Sequence, residues 1–307
     1  MKFAIVGAGG IGGYYGGVLA RAGNEVQVLA RGENLAALRD RGLQVRTPEG
    51  AFTVGVKASD DVTQFTPVDC AIIAVKTYSL GEAAPAAKHL AESGALIVPF
   101  LNGVDISEQL IALGIPNDKV IGGLTTISVA RTAPGVFERR SNFQKVIVGE
   151  FSGSRDQMRR QRVERIAQAF LRAGVEAQVS DDIRAEIWRK FAFITAMAAV
   201  CGLARSAIGG VRAAPLGLLL LERAIREVVM VAHARGIRLA DDETERLLKF
   251  CETLPDGMKP SLLLDVEAGR QSEIDALSGA VGRFGREVGI ETPIHDTALA
   301  ALSASRK

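Results

Sequence analysis

Three glycines near the start of the chain have the spacing of a loop that binds the phosphates of a dinucleotide. Gly7, Gly9 and Gly12 form the pattern Gly-x-Gly-x-x-Gly. The pattern lies between an apolar run that ends at Val6 and a helix-compatible stretch that reaches about Ala22. In this context the first glycine permits a tight turn, the second lets a pyrophosphate approach the backbone, and the third lets the helix pack against the strand. With the N–H groups of the helix start, the predicted dinucleotide site comprises Gly7, Ala8, Gly9, Gly10, Ile11 and Gly12.

The end of the second predicted strand indicates which dinucleotide is bound. Sites for NAD usually place a carboxylate near this position, where it accepts a hydrogen bond from the ribose 2′-hydroxyl. Here the strand covers residues 26–29, and Ala30 and Arg31 follow it. A guanidinium suits a 2′-phosphate, which it can bind through two donors. Arg31 therefore favours NADP(H) over NAD(H); a solvated arginine is the alternative, and Glu33 two residues further on keeps NAD(H) open.

A reductase that uses such a coenzyme needs a group that protonates the oxygen of the reduced carbonyl. The histidines have no supporting context, no Cys/His spacing suits a metal, and Tyr14 and Tyr15 should pack within the coenzyme helix. Lys190 is the best candidate, because it follows Trp188 at the entry to an apolar helix and an unpaired buried ammonium is costly. A lysine whose ammonium reaches the surface is the alternative, and the position alone does not decide between them.

Four other polar residues lie where a ligand could contact them. Lys76 follows the predicted strand 70–75, and Asn102 lies two residues after the predicted strand 95–100. Because a doubly wound sheet binds its ligand at the carboxyl ends of the strands, we expect both to bind a ligand rather than cap a loop. Ser261 and Glu273 lie twelve residues apart near predicted helix starts, and from spacing alone helix capping is the better interpretation.

The elements that position these residues divide the chain into two predicted domains, with a hinge near residues 180–182. Residues 1–181 alternate β-like and helix-like segments, which predicts an N-terminal Rossmann-type doubly wound α/β sheet with extra strands at one edge. Residues 182–307 predict a C-terminal all-helical domain. The predicted strands are 3–6, 26–29, 43–47, 52–56, 70–75, 95–100, 120–121, 125–130, 145–148 and 175–179. The first predicted helix follows the Gly-rich turn and ends near residue 22. The other predicted helices cover 33–41, 80–93, 156–173, 183–200, 216–235, 242–251, 261–268, 272–288 and 295–303.

Composition limits the partners of the protein. The 307 residues are 48% hydrophobic, and 37 basic against 35 acidic residues give a net charge of +2, which provides no general field for nucleic acid or an anionic membrane. Cys70, Cys201 and Cys251 have apolar neighbours and predict reduced thiols in a cytoplasmic protein. We expect no secretory signal, and the uncharged run 191–204 is too short to span a bilayer. The expected partner is a small molecule; a homodimer is compatible with the sequence, which does not determine the oligomeric state.

Several separated motifs, in order along nearly the whole chain, resemble the ketopantoate reductase (2-dehydropantoate 2-reductase) family. The Gly-rich start is similar to the NADPH site of that family, and residues 74–78 and 101–104 are similar to its two coenzyme-side loops. Residues 188–191 resemble the segment that bears the catalytic lysine of the family. Residues 260–265 and 272–275 resemble its substrate-side motifs.

The resemblance implies a role for each candidate residue. Lys190 would be the general acid that protonates the new alkoxide, and Glu273 would contact the substrate hydroxyl or order the lysine. The implied reaction is the NADPH-dependent reduction of 2-dehydropantoate, a small 2-oxo acid, to (R)-pantoate in pantothenate biosynthesis. Arg31 is implied to bind the 2′-phosphate and Lys76 to bind the coenzyme. Asn102 is implied to contact both coenzyme and substrate, and Ser261 to bind the substrate.

One departure from the family pattern bears on the substrate. Some members carry asparagine four and eight residues after the lysine, on the same helical face. Here these positions are Ile194 and Ala198, both apolar. A reductase of another, less hydroxylated 2-oxo acid is therefore one alternative. The other is a non-catalytic NADPH-binding sensor or regulatory protein, which would need the glycines and Arg31 but not Lys190.

Overall fold

The computed structural model describes residues 1–151 and 157–304, which form two compact units. The first unit contains residues 1–101 and 105–183. The second contains residues 102–104 together with the chain from residue 184 onward. The short segment that begins with Asn102 therefore belongs with the second unit, although it follows a strand of the first.

A parallel sheet forms the centre of the first unit. The strands of this unit are β1 Lys2–Val6, β2 Glu25–Leu29, β3 Leu43–Thr47, β4 Gly50–Val54, β5 Lys57–Ser59, β6 Cys70–Ile73, β7 Leu96–Pro99, β8 Gly122–Thr126, β9 Val129–Ala133, β10 Val136–Arg139, β11 Lys145–Gly149 and β12 Glu176–Ser180. Five of them pair in parallel in the order β5-β2-β1-β6-β7. Val6 pairs with Leu29 on one side and with Ile73 on the other, so the three central strands end at one edge. The predicted Rossmann-type sheet is confirmed.

Strands β6 and β7 are apolar throughout because both faces of the sheet are covered. All residues of β6 and β7 are buried, without the polar alternation of a half-exposed strand. The helices of this unit are α1 Gly10–Arg21, α2 Gly32–Arg41, α3 Leu80–Glu92, α4 Ile106–Ala112 and α5 Gln157–Arg172. Tyr14 and Tyr15 of α1 are buried, as predicted. Residue 156, the predicted start of α5, lies outside the residues that the structure describes.

The extra strands form two further small sheets, β4-β3-β10-β9 and β12-β11-β8, instead of continuing one edge. The single strand predicted over 125–130 is wrong, because β8 and β9 divide this run between them. Thr126 pairs with Lys145 of β11, whereas Val129 pairs with Arg139 of β10, so each half joins a different sheet. Of the strand predicted at 120–121, only an isolated bridge between Val120 and Ile97 is present. Strands β5 and β10 and helix α4 had not been predicted.

Among the residues that the structure describes, the second unit contains helices and no strand, which confirms the predicted fold class. Its helices are α6 Ile183–Ala204, α7 Ile208–Ala213, α8 Gly217–Ala234, α9 Glu243–Glu252, α10 Ser261–Glu267, α11 Ala280–Val288 and α12 Pro293–Ala304. The helix predicted over 272–288 begins later, with a π-helical turn over Asp275–Gly279 that leads into α11. Helix α7 was missed because Gly209 and Gly210 lower the helix propensity of its short sequence.

By length and composition alone, one helix in the described part of the chain, α6, could cross a membrane. The expectation that this region is too short considered only the uncharged run, whereas the whole helix has 22 residues. Within its most apolar window, 61% is buried inside the protein. Such burial is also found in a helix that forms part of a hydrophobic core.

Candidate active site

The Gly-rich loop has the shape that a phosphate-binding turn requires. Gly7 has a φ of +102°, and a Cβ added there would lie 2.6 Å from Cγ1 of Val75. A Cβ at Gly12 would lie 2.1 Å from the carbonyl oxygen of Gly7, so a side chain would separate α1 from the strand. At Gly9, by contrast, an added Cβ would meet only the carbonyl oxygen of Ala74, at 3.8 Å. Protein atoms therefore close the loop at Gly7 and Gly12 and leave space at Gly9, where a pyrophosphate would approach.

The first turn of α1 leaves its backbone donors available to a ligand. Gly9 occupies the N-cap position and makes no side-chain capping hydrogen bond, and the first turn contains no acidic residue. The first N–H groups of a helix have no partner within the helix, and they carry partial positive charge. An anion is therefore the natural partner for this end of α1.

A cavity of about 280 Å³ lies beside the loop. It brings together four of the predicted coenzyme residues, Gly7, Ala8, Gly9 and Arg31, whereas Gly10, Ile11, Gly12, Lys76 and Asn102 do not line it. The other lining residues are Val6, Leu29, Ala30, Asn34, Glu82, Ala83 and Arg131.

Asn34 of α2 holds the Gly-rich loop through side-chain hydrogen bonds, a role that no sequence pattern indicated. Its side-chain nitrogen donates to the carbonyl oxygen of Ala8 at 3.0 Å, and its side-chain oxygen accepts from the backbone N–H of Gly135 at 2.8 Å. The residue is buried, so both hydrogen bonds lie away from water. Asn34 thus links the Gly-rich loop to the turn between β9 and β10.

Arg31 has an acidic partner that was not expected from the sequence. Its guanidinium lies 3.7 Å from the carboxylate of Glu82, in the first turn of α3, and both side chains are 73% exposed. Glu33, the residue that kept NAD(H) open, is exposed and does not line the cavity. Because exposed ion pairs are weak, the Arg31 guanidinium can exchange this carboxylate for a phosphate at small cost.

Lys190 of α6 lies in the second unit with two of the other candidates. Its Nζ donates to Oδ1 of Asn102 at 3.1 Å, in a partly buried position. Burial lowers the pKa of Lys190 to about 8, and the negative charge of Glu273 raises that pKa in part. The ammonium is therefore not free in solvent. Trp188 and Phe191 hold this part of α6 in the core, with ring centroids 5.8 Å apart.

Glu273 is buried, at 7% exposure, immediately before the π-helical turn. The cap position of that turn belongs to Ile274, and Glu273 lies one residue before it. Ser261 is exposed as the first residue of α10, with Pro260 at the cap position. Among the described residues, the Ser261 side chain makes no hydrogen bond to Lys190, Asn102 or Glu273.

Lys76 is half-buried in the turn after β6, at the cap of a short 3₁₀ turn.

The two apolar positions after Lys190 differ from each other. Ala198 is only 1% exposed and is part of the helical core, whereas Ile194 is partly buried at its margin. Of these two side chains, only Ile194, four residues after the lysine, is therefore placed to restrict which chemical groups of a ligand can lie beside Lys190 on α6.

The three cysteines and His295 lie in the protein interior. The three cysteines are free and buried. Burial lowers the pKa of His295 to about 4, and its Nε2 lies 2.9 Å from the carbonyl oxygen of Ala224, so it serves the packing of the helices. Within residues 1–151 and 157–304, no group of three potential ligands could hold a metal ion.

Comparison with known proteins identifies the family. The profile described as "Ketopantoate reductase PanE/ApbA" matches residues 3–153, and its C-terminal counterpart matches residues 182–306. An uncharacterized oxidoreductase, YkpB of Bacillus subtilis, is 31% identical over 98% of both chains. The 2-dehydropantoate 2-reductase of Halobacterium salinarum is 30% identical over 96% of this chain and 95% of that protein. The crystal structure of 2-dehydropantoate 2-reductase from Geobacter metallireducens has a TM-score of 0.91 at 28% identity, over 99% and 100% of the two chains.

The Rossmann-type sheet and these relatives define an oxidoreductase. More narrowly, the chain belongs to the ketopantoate reductase family, which confirms the resemblance found in its sequence motifs. Members of this family act on a small keto acid. A non-catalytic sensor therefore has no support from the comparisons.

Proposed function

We propose that the protein catalyses the NADPH-dependent reduction of 2-dehydropantoate to (R)-pantoate. The family supports a 2-oxo acid reductase, and the name 2-dehydropantoate 2-reductase is shared by several relatives over nearly their whole length. The observation that carries the proposal is the 3.1 Å hydrogen bond from Lys190 to Asn102, made by an ammonium whose pKa is lowered to about 8.

Lys190 acts as the general acid. A reduced nicotinamide, when bound, supplies a hydride to the ketone carbon. The carbonyl oxygen gains the electron pair of the broken π bond, and Lys190 Nζ donates the proton that completes the hydroxyl group. With a pKa of about 8, the lysine is mostly protonated at pH 7, yet it releases its proton more readily than an exposed lysine does. The neutral amine then regains a proton from water.

Asn102 and Glu273 prepare the lysine for this step. The side-chain oxygen of Asn102 accepts one of the three ammonium hydrogens, which fixes the direction of the Nζ atom and leaves the amide NH₂ of Asn102 for the acid substrate. Glu273 opposes the effect of burial and keeps the lysine protonated near neutral pH. By the family motifs, Ser261 binds the substrate and Lys76 binds the coenzyme.

NADPH is the proposed coenzyme, with Arg31 as the residue that binds its 2′-phosphate. Arg31 lines the same cavity as Gly7, Ala8 and Gly9, and Glu82 is the one carboxylate among the lining residues. A ribose-binding carboxylate at the end of β2, which NADH would favour, is replaced here by a guanidinium.

The two family profiles match separate parts of the chain, and we assign a separate role to each part. We propose residues 1–181 as the NADP-binding domain and residues 182–307 as the helical substrate and catalytic domain, with profile matches over 3–153 and 182–306 in support. The three buried free cysteines favour a protein that works with reduced thiols, as in the cytoplasm.

One observation favours a second candidate substrate. Ile194 places an apolar side chain four residues after Lys190, where an amide of some relatives would meet a hydroxyl group of the substrate. A 2-oxo acid with fewer hydroxyl groups would leave no polar atom unpaired beside Ile194.

The test is NADPH oxidation measured with a panel of 2-oxo acids that includes 2-dehydropantoate and simple branched analogues. We expect the highest kcat/KM for 2-dehydropantoate. A clear preference for the branched acids would favour the second candidate, and no oxidation with any 2-oxo acid would contradict both.

A further inference from the structure

The cavity beside the Gly-rich loop contains a second guanidinium, which the proposed function does not use. Arg131, on strand β9, lines the same cavity as Gly7, Gly9 and Arg31. It lies 100 residues after Arg31 in the sequence and belongs to no motif that indicates a ligand. Only the fold brings the two arginines to one cavity.

Strand β9 runs directly past the start of α1. A Cβ added at Gly10 would lie 2.9 Å from the carbonyl oxygen of Val129 and 3.3 Å from Cα of Ala130. The backbone of β9 therefore approaches the phosphate-facing end of the helix as closely as glycine permits. Arg131 is the next residue of this strand, so its position relative to the loop is set by backbone packing.

The hairpin that carries Arg131 is held by both neighbouring helices. Arg131 pairs across the hairpin with Phe137, which is fully buried. A Cβ added at Gly13 would lie 2.2 Å from the Phe137 ring, so this ring packs directly on α1. At the turn of the hairpin, the N–H of Gly135 donates to Asn34 of α2. A residue on such a supported strand is well placed to bind a ligand with little reorganisation.

The charges of the cavity leave Arg131 available for an anion. Two arginines and one glutamate line it, which gives a net charge of +1. The glutamate, Glu82, already lies 3.7 Å from Arg31. The side chain of Arg131 makes no hydrogen bond or ion pair with any residue in 1–151 or 157–304. An unpaired guanidinium beside uncapped helix N–H groups is suited to a phosphate, which it can bind through two donors.

We propose that Arg131 is a second cationic ligand for a phosphate group of the dinucleotide held by the Gly-rich loop, in addition to Arg31. The proposal rests on the proposed binding of NADPH and adds a binding residue to that site. Two phosphate groups of NADPH have this chemistry, the pyrophosphate and the 2′-phosphate, and the choice of ligands in the experiment separates them.

The experiment measures dissociation constants by titration calorimetry for NADPH, NADH, adenosine 2′,5′-bisphosphate, ADP and adenosine. The proteins are the wild type, Arg131→Ala and Arg131→Lys, with Arg46→Ala as the matched control. Arg46 is also an exposed arginine on a strand of the β4-β3-β10-β9 sheet, but it does not line the cavity. Circular dichroism checks that each variant is folded. Since the Arg131 side chain makes no hydrogen bond or ion pair with a described residue, we expect no loss of structure.

We expect Arg131→Ala to weaken NADPH binding about 10-fold, as for the loss of a charged hydrogen-bonding partner, and Arg131→Lys to weaken it less. If the 2′-phosphate is the ligand, adenosine 2′,5′-bisphosphate weakens by a similar factor while NADH and ADP are unchanged. If the pyrophosphate is the ligand, all four phosphorylated compounds weaken together. Both outcomes support the proposal.

Two outcomes would overturn it. Unchanged affinity for all four phosphorylated compounds in Arg131→Ala would remove Arg131 from the site. An equal loss for adenosine would mean that Arg131 stacks on the base instead of binding a phosphate. Titration of the wild type distinguishes a wrong Arg131 assignment from a wrong proposed function. If the wild-type protein bound none of these nucleotides, both nucleotide binding and the Arg131 assignment would be contradicted.

Discussion

The two candidate regions of the molecule use charge in opposite ways. Around the Gly-rich loop the charged groups are exposed, as the 73% exposure of Arg31 and of Glu82 shows, and water screens each of them. Around Lys190 the charged groups are buried, and burial lowers the pKa of the lysine to about 8. The exposed region can hold a large anionic ligand by adding many weak contacts. The buried region changes the acidity of one group, which is what proton transfer requires.

The largest effect should come from the buried region. We expect Lys190→Met to lower kcat by about 100-fold or more, as for the loss of a general acid, while the dissociation constant of NADPH stays near that of the wild type. The measurements are steady-state kinetics and coenzyme titration. Lys249→Met, which removes an exposed lysine from α9, is the control and should keep full activity.

The same variant tests burial independently of catalysis. Because the unfolded chain binds a proton at Lys190 more readily than the folded protein does, the wild type loses stability as the pH falls from 10.5 to about 8, and the full loss is present at pH 7. Lys190→Met should therefore be more stable to urea unfolding at pH 7, by up to about 3 kcal/mol. A variant that is both inactive and less stable would show that its inactivity reflects damage to the fold.

The next effect is a pH dependence with a definite sign. The acid must be protonated to act, so kcat/KM for reduction should be flat below pH 8 and fall about tenfold per pH unit above it. Glu273 raises the pKa of Lys190, so Glu273→Gln should move this fall to lower pH. A midpoint that does not move, or that moves to higher pH, would contradict the electrostatic role of Glu273.

Sequence and structure agree best where local patterns determine the fold. The apolar runs at β1, β6 and β7 are continuous because both faces of the sheet are covered, so their composition alone indicated a parallel sheet. The division of 125–130 into β8 and β9 could not be foreseen, since no glycine or proline marks the break. It arises because the two halves pair with β11 and with β10, which are distant in sequence.

The candidate site shows the same limit. The glycines and Arg31 belong to one continuous βαβ stretch, so their spacing predicted a common site. Asn34, Glu82 and Arg131 come from elements whose proximity depends on the assembled fold. The hydrogen bond between Lys190 and Asn102 joins residues 88 apart in the sequence, and no local pattern predicted that these two candidates contact each other.

In the exposed region, Arg31→Ala should weaken NADPH binding about tenfold and leave NADH binding nearly unchanged, because only NADPH has the 2′-phosphate. The measurement is the ratio of the two dissociation constants. Arg41→Ala, an exposed arginine near the end of α2 outside the cavity, is the control. Equal weakening for both coenzymes would place Arg31 on a group that they share.

The smallest effect should come from Glu82, and it sharpens the contrast between the two regions. If Arg31 must leave Glu82 before it binds a phosphate, Glu82→Gln should tighten NADPH binding by about two- to fivefold, the size expected for an exposed ion pair. The gain should shrink at high salt, since screening already weakens the pair. Weaker NADPH binding in Glu82→Gln would instead mean that the carboxylate itself contacts the coenzyme. The preference for NADPH would then depend on the contacts that both Glu82 and Arg31 make with the ribose and its 2′-phosphate.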